Sequence, residues 1–121
     1  MPQLIKKPTR AASVGNKPKQ IDEFVGVVNT QTPEVSIAHM QSASGWVEPG
    51  QTPTFDEYTV VIKGMLQVES QEGVLTVQAG QAVLVKRGEW VRYSTPGPDG
   101  ADYISVCLPA FTLDSVHRDE A

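Results

Sequence analysis

The sequence predicts an all-β domain, a sandwich or a barrel, and three observations support this. From residue 21 onward, short runs rich in Val, Ile, Thr and aromatic residues follow one another, which is typical of strands. Glycine and proline turns separate these runs at close intervals. No segment has the 3.6-residue apolar repeat of a long helix. Eight strands are expected, at 23–30, 34–42, 58–62, 65–70, 74–78, 82–86, 90–94 and 103–108.

Residues 1–20 form a basic N-terminal arm that we expect to be extended or disordered. Proline and glycine interrupt it so often that no helical or alternating pattern remains. Residues 21–121, the expected barrel domain, hold all 14 acids of the chain. The arm is therefore expected to be a flexible leader, or to pack on the acidic surface of its own chain or of a partner. Its bases are Lys6, Lys7, Arg10, Lys17 and Lys19.

Composition narrows the class of protein. A chain of 121 residues suits one domain with a single core, and its one cysteine, Cys107, is expected to be a small buried hydrophobe in a strand. No apolar run approaches the roughly 20 residues that span a bilayer, and the start of the chain lacks the apolar segment of a secretory signal. We therefore expect a cytoplasmic protein with no membrane partner. Five bases without interleaved aromatics, beside an acidic body, also predict no nucleic-acid partner.

The turns between the expected strands have a clear chemistry. The segment 71–73, Gln-Glu-Gly, lies between two alternating runs and predicts a hairpin. Gly64, Gly80 and Gly88 are expected to adopt positive φ angles, which a β-carbon disfavours.

Two segments, 49–64 and 80–93, resemble the two signature motifs of the cupin superfamily. Glu57, six intervening residues and Gly64 match the second half of the first motif, and Pro49-Gly50 matches its start. In the second segment, Gly80 and Gly88 fall in register. The resemblance extends over about residues 35–108, and residues 107–119 are similar to the closing segment of several bacterial cupins.

The resemblance implies a jelly-roll β-barrel of two antiparallel sheets that often holds one metal ion. However, the His-x-His pair of the first motif is absent, and the loop before Glu57 is shorter than in the motif. Val91 stands where the second motif has its histidine. Any metal would therefore need a rearranged set of ligands.

His39 is the candidate that such a set would recruit. It lies on an alternating strand directly before the first motif, and Gln41 shares its face. If that face lines the barrel, His39 meets Glu57, and Gln51 and Tyr93 complete a mixed nitrogen and oxygen set. Such a set favours Mn²⁺, with Fe²⁺, Ni²⁺ or Zn²⁺ as alternatives. The other interpretation is that His39 is a hydrogen-bonded interior histidine and that Glu57 is a retained remnant facing a water-filled mouth.

Aromatic residues beside turns suggest where a ligand would enter. Trp46, Phe55 and Trp90 lie at one end of the expected barrel, where they form either core and rim packing or the wall of a ligand pocket. Gln41 is a further candidate for that pocket. Glu48, also beside a turn, is expected to be solvated.

The leading functional hypothesis is a small cupin that binds a divalent metal ion and acts on, or senses, a small polar metabolite such as a sugar derivative or a carboxylate. Glu57 and Tyr93 would be its catalytic residues, with Tyr93 a ligand or a proton donor. One alternative is a metal-free module that binds a small ligand. Another is a metal-dependent isomerase or dioxygenase. The resemblance also implies a homodimer, because many cupins of this size dimerise through edge strands, which protects those edges.

Overall fold

The computed structural model describes residues 1–120, which form nine strands and one short helix and confirm the all-β class. Two of the strands, Thr9–Ala11 and Trp46–Val47, are only three and two residues long, which is too short for a sequence pattern to show. The elements are β1 (Thr9–Ala11), β2 (Lys19–Val25), β3 (Ser36–Ser42), β4 (Trp46–Val47), β5 (Asp56–Ser70), β6 (Gly73–Gln78), β7 (Ala82–Val85), β8 (Val91–Thr95), β9 (Ala101–Leu108) and α1 (Leu113–Val116).

All strand pairs are antiparallel, and β5 joins two sheets into a curled barrel. One sheet has the order β1-β2-β3-β9-β5-β7, and residues 56–64 of β5 belong to it. The other sheet contains β4, β8, β6 and residues 65–70 of β5. This is the predicted jelly-roll barrel of two antiparallel sheets. The four-residue α1 is the only α-helix within residues 1–120 and is far too short to cross a bilayer.

The strand β5 is continuous, although the sequence predicts two strands at 58–62 and 65–70. The pairing register with β9 shifts between Val61 and Lys63, and Gly64 follows with a φ of +74°. A β-carbon at Gly64 would overlap the carbonyl oxygen of Gly100. The glycine therefore lets the strand bend from one sheet into the other without ending. Gly80 and Gly88 also have positive φ, as predicted, and the hairpin between β5 and β6 is confirmed.

The N-terminal segment packs on the barrel of its own chain. Part of the expected arm is strand, because β1 pairs with β2 and β2 begins at Lys19. The indole Nε1 of Trp46 donates to the carbonyl oxygen of Val14 at 2.9 Å, and the amide of Asn16 donates to the carbonyl of Val47 at 3.2 Å. These bonds hold residues 14–16 against β4.

The turn after β2 replaces the predicted strand end at 26–30. Glu23 is buried at this point, and its carboxylate accepts hydrogen bonds from the backbone amides of Val28 at 3.1 Å and Asn29 at 2.8 Å. Charge-assisted hydrogen bonds of this kind are stronger than neutral ones, and they stabilise the turn. The chain therefore leaves the sheet at Val25.

The core fills the space between the two sheets. Trp46, Leu66 and Val61 are almost completely removed from solvent, and each such side chain contributes about 1.5–3 kcal/mol to folding. A smaller cluster of Phe55, Cys107 and Val116 closes the end of the barrel beneath α1. Cys107 is buried, as predicted.

Candidate functional site

A cavity of about 80 Å³ lies inside the barrel. It has room for several water molecules or one small ligand. Phe55, Leu66 and Met40 supply apolar parts of its wall. Six polar or charged side chains that also line it are central to the site: Lys19, Glu48, Gln51, Glu57, Tyr93 and Arg118.

The expectation that His39 and Gln41 face the interior is wrong. On β3 the cavity is lined by Ser36, Ala38 and Met40, the residues of the opposite parity. Because side chains alternate along a strand, an error of one residue in the expected register assigns every side chain of the strand to the opposite face of the sheet. The barrel wall therefore separates His39 from Glu57.

His39 has a partner of its own on the outer face of the sheet. Its Nε2 lies 2.5 Å from Oδ1 of Asp102 on β9. The amide of Gln41 donates to the other carboxylate oxygen of Asp102 at 3.4 Å. His39 is therefore hydrogen-bonded, as the second interpretation expects, but it lies on the outer face of the sheet and not in the interior.

Glu57 and Tyr93 do meet inside the cavity. Glu57 lies on β5 and Tyr93 on β8, and the phenol hydroxyl donates to Oε1 of Glu57 at 3.1 Å. Burial raises the pKa of Glu57, against the lowering effects of Lys19 and of this hydrogen bond. Burial and then the negative charge of Glu57 raise the pKa of Tyr93 well above its ordinary value. The phenol therefore remains a hydrogen-bond donor at any ordinary pH.

Glu48 is buried, not solvated as its neighbouring turn suggests. Its side chain is 7% exposed and lines the cavity. Burial raises the pKa of Glu48 to about 7, although the Lys19 charge lowers it, and the negative charge of Glu57 raises it further. Glu48 can therefore hold or release a proton near neutral pH.

Lys19 places an ammonium group inside the barrel. Its Nζ lies 3.9 Å from Oε2 of Glu48, which is too long for a direct hydrogen bond. The same nitrogen lies 4.1 Å from the centre of the Trp46 ring and 5.5 Å from that of Tyr103, both within the range of cation–π attraction. Two aromatic faces and a carboxylate thus hold the ammonium group. In the sequence, Lys19 is recognisable only as one of the bases of the arm.

The signal for Lys19 was a short alternation at the end of the arm. Lys19, Ile21 and Glu23 all line the cavity, at every second position of β2. This period-two pattern indicates a strand with one inward face. The pattern covers only three inward residues, and two of them are charged. The sequence alone therefore does not identify this strand as part of the barrel wall.

Gln51 and Arg118 lie side by side at the end of the cavity that the C-terminal segment closes. Gln51 forms antiparallel bridges with both Val91 and Arg118. Further backbone bonds join Thr52 to His117 at 3.1 Å, and Asp119 to the residue before Gln51 at 2.8 Å. The tail, in which the sequence showed no chemistry, therefore places a charged residue in the site.

Arg118 is held on the barrel by its aromatic neighbour. The guanidinium carbon lies 5.7 Å from the centre of the Phe111 ring. Its Nε is buried, and no protein group within residues 1–120 accepts its hydrogen bond. A buried donor without an acceptor is costly, so this nitrogen is suited to a ligand.

The predicted aromatic wall is present only in part. Phe55 lines the cavity. Trp46 does not line the cavity and reaches the site only through its contact with Lys19. Trp90 also lies outside the cavity lining, and its Nε1 donates to Oδ2 of Asp119 at 2.8 Å.

The donor set does not fit a divalent metal ion. Within residues 1–120 no three His, Cys, Asp or Glu side chains come together as a metal site. Glu48, Glu57 and Gln51 could offer oxygen atoms, but Glu48 already faces the Lys19 ammonium, Tyr93 is a neutral phenol and His39 is on the other side of the sheet. The ammonium of Lys19 and the guanidinium of Arg118 share the cavity and would repel a cation.

Solved structures show that this architecture is the cupin fold. The EutQ protein of Clostridium difficile superposes with a TM-score of 0.67 at 19% identity, over 86% of this chain and 74% of that one. A variant of oxalate decarboxylase from Bacillus subtilis superposes with a TM-score of 0.76 at 16% identity, over 95% of this chain and 31% of that one. At these identities the likeness concerns the fold alone. No family model matches the sequence.

A curated relative is similar at a higher identity. The endoribonuclease YbeY of Myxococcus xanthus is 41% identical over 101 residues, which are 84% of this chain. The match spans only 34% of that protein, so this chain corresponds to about a third of its length.

Proposed function

We propose that the chain is a binding module of cupin fold that holds a small polar ligand directly with its own side chains, and that the Lys19 ammonium takes the place of a metal ion. The observation that carries this proposal is the position of Lys19, inside the cavity and 3.9 Å from Glu48. A buried cation fixed by aromatic rings and a carboxylate supplies the cavity with a positively charged group without any cofactor. The missing motif histidines agree with this arrangement.

The remaining cavity groups suit the recognition of a polar ligand. Gln51 offers an amide, Tyr93 a phenol and Glu57 a carboxylate, and all three line the same space. Because the apolar wall excludes bulk water, hydrogen bonds to these groups discriminate strongly between ligands. In this proposal Glu57 and Tyr93 bind the ligand, and no catalytic step is assigned to them.

Metal titration with a chelator control tests the proposal. The protein, purified from medium supplemented with Mn²⁺, Fe²⁺, Ni²⁺ and Zn²⁺, is expected to contain far less than one ion per chain. Adding these ions one at a time should not raise the melting temperature, and a chelator should not weaken ligand binding. One tightly bound ion per chain, lost in Glu57→Ala but kept in the control Glu69→Ala, would instead support the metal-binding hypothesis.

A second copy of the chain is proposed to cover the outer face of the larger sheet. Tyr58, Val60 and Leu84 are exposed there. Strand register places Tyr58 between Leu84 and Val106, and Val60 between Ala82 and Ile104, so two adjacent rows across β7, β5 and β9 are apolar. Lys63 and Asp102, of opposite charge, border these rows. An apolar centre with such a rim suits a symmetric contact between two copies.

A second candidate function follows from the Myxococcus relative. Since this chain is 41% identical to a segment of a protein named as an endoribonuclease, the module is proposed to act together with such an enzyme, with its cavity sensing a metabolite. In the test, the purified chain is mixed with an endoribonuclease of that name from the organism that encodes this chain. Physical association, and a ribonuclease rate that changes with wild type but not with the folded double variant Lys19→Met, Glu48→Gln, would support this role.

A further inference from the structure

We infer that the ligand of the cavity carries a carboxylate group, and that Arg118 and Gln51 bind this group at the end of the barrel closed by the C-terminal segment. This inference rests on the proposed function, since it names the chemical class of the ligand.

The unpartnered nitrogen of Arg118 is the first argument. Its Nε is buried and has no acceptor within residues 1–120, and leaving a buried donor unpaired costs about 1–3 kcal/mol. The guanidinium presents its donors in a planar fork whose geometry matches the two oxygens of a carboxylate. A ligand carboxylate would therefore supply the acceptor that the protein does not.

Gln51 is the second argument. Arg118 and Gln51 are bridge partners on antiparallel segments, so their side chains project to the same side. Both line the cavity. The backbone of Gln51 exchanges two hydrogen bonds of 2.9 Å with Val91. Its position is therefore fixed, and its amide NH₂ can donate to the same carboxylate that Arg118 binds.

Comparison of the charged groups favours an anionic ligand over a cationic one. The three cavity carboxylates already have partners in the protein, since Glu48 faces the Lys19 ammonium, Glu57 accepts from Tyr93, and Glu23 accepts from two backbone amides. A ligand amine would have to compete with these groups. Arg118, in contrast, makes no ion pair with a carboxylate within residues 1–120, although its charge lowers the pKa of Glu48. Its guanidinium is therefore the charged group of the cavity that can accept an anionic ligand.

The size and the apolar wall of the cavity limit the rest of the ligand. About 80 Å³ holds only a few non-hydrogen atoms. Phe55, Phe111 and Leu66 line the space beside the polar groups. The ligand is therefore a short aliphatic acid or hydroxy acid.

Matched probes test this inference. Acetate, propionate, butyrate and lactate are compared with acetamide, propionamide and propylamine by calorimetric titration in the presence of a chelator. At least one of the acids is expected to bind, at least tenfold more tightly than the amide or amine of similar size. Arg118→Gln should weaken that binding at least tenfold. The control Arg92→Gln, which removes an exposed guanidinium paired with Glu69, should leave it unchanged.

A second measurement covers the case in which Arg118→Gln does not fold. The Nε–H resonance of Arg118 in the wild-type protein, observed by NMR, should move on addition of the acid that binds and stay in place on addition of the matching amide. If amides or amines bind as well as acids, if Arg118→Gln binds like wild type, or if no acid binds, the carboxylate inference is wrong. Binding of an amide or amine with the chelator present would still support the proposed function, so the two failures are distinguishable.

Discussion

The Nζ of Lys19 lies 3.9 Å from Oε2 of Glu48, and the two side chains are only 6% and 7% exposed. One residue comes from strand β2 and the other from the loop after β4, so the pair joins the N-terminal segment to the middle of the chain. Both charges have left bulk water, which is expensive unless each offsets the other. The pair thus supports the fold and also gives the cavity its electrostatic character.

Replacing Lys19 is expected to destabilise the protein strongly. Lys19→Met keeps most of the side-chain volume but leaves Glu48 buried without a cation, which should lower the free energy of unfolding at pH 8 by about 3 kcal/mol. Urea unfolding followed by tryptophan fluorescence measures this loss. Lys17→Met, at an exposed position of the same segment, is the control. The double variant with Glu48→Gln should recover much of the loss, and equal stabilities of Lys19→Met and Lys17→Met would contradict this prediction.

Stability is expected to fall as the pH rises from about 4.5 to about 7. The pKa of Glu48 is raised from about 4.5 to about 7 in the folded state, chiefly by burial. The folded protein therefore binds this proton more tightly than the unfolded chain does. Its stabilising effect is complete below about pH 4.5 and is lost as the pH approaches 7, a change of about 3 kcal/mol at most. The raised pKa of Glu57 acts in the same direction.

Glu48→Gln checks this dependence on pH. The amide is uncharged, so unfolding free energies measured in urea between pH 5 and pH 8 should vary less in the variant than in wild type. Glu89→Gln, at an exposed site, should keep the wild-type slope. A variant whose slope equals that of wild type would show that Glu48 does not titrate in this range.

Removing the hydroxyl of Tyr93 should harm both stability and binding. Tyr93→Phe deletes the donor to the buried Glu57, and the unsatisfied carboxylate should cost about 1–3 kcal/mol. The loss should be larger at pH 8 than at pH 5, because the hydrogen bond stabilises the charged form of Glu57. Tyr103→Phe, which removes a bond of 2.9 Å to the neutral Ser42 hydroxyl, is the matched comparison. Thermal unfolding of both variants at pH 5 and pH 8 measures the two losses of stability. A loss in Tyr93→Phe that does not depend on pH would count against a charged Glu57.

A charge on the outer sheet face should separate the proposed dimer. Val60→Glu places a carboxylate in the apolar rows across β7, β5 and β9, where two copies would bring like charges together, so association should weaken at least tenfold. Light scattering behind a sizing column measures the mass of the particle. Val28→Glu, at an exposed valine in the turn after β2, should leave the mass unchanged. A wild-type protein that is monomeric at high concentration would exclude this interface.

Local patterns were sufficient for most of the fold. The alternation of β6, β7, β8 and β9 predicts these strands to within two residues at each end, because their periodicity lies within a few neighbouring residues. Gly64, Gly80 and Gly88 were predicted to have positive φ because that backbone conformation disfavours a β-carbon. Glu57 and Tyr93 were placed together because motif register fixes which strand face each residue occupies.

Only the tertiary structure decided which face of β3 points inward and which distant residues meet. Whether His39 or its neighbours point inward depends on a shift of one residue along β3. The sequence leaves this open, because both faces of the strand carry polar and apolar side chains. Lys19, Glu48 and Arg118 lie in the arm, beside a turn and in the tail, where charged residues are normally solvated. Their burial depends on partners far away in the chain, since an ammonium or a carboxylate leaves water only where long-range packing brings a counter-charge or an aromatic face to it.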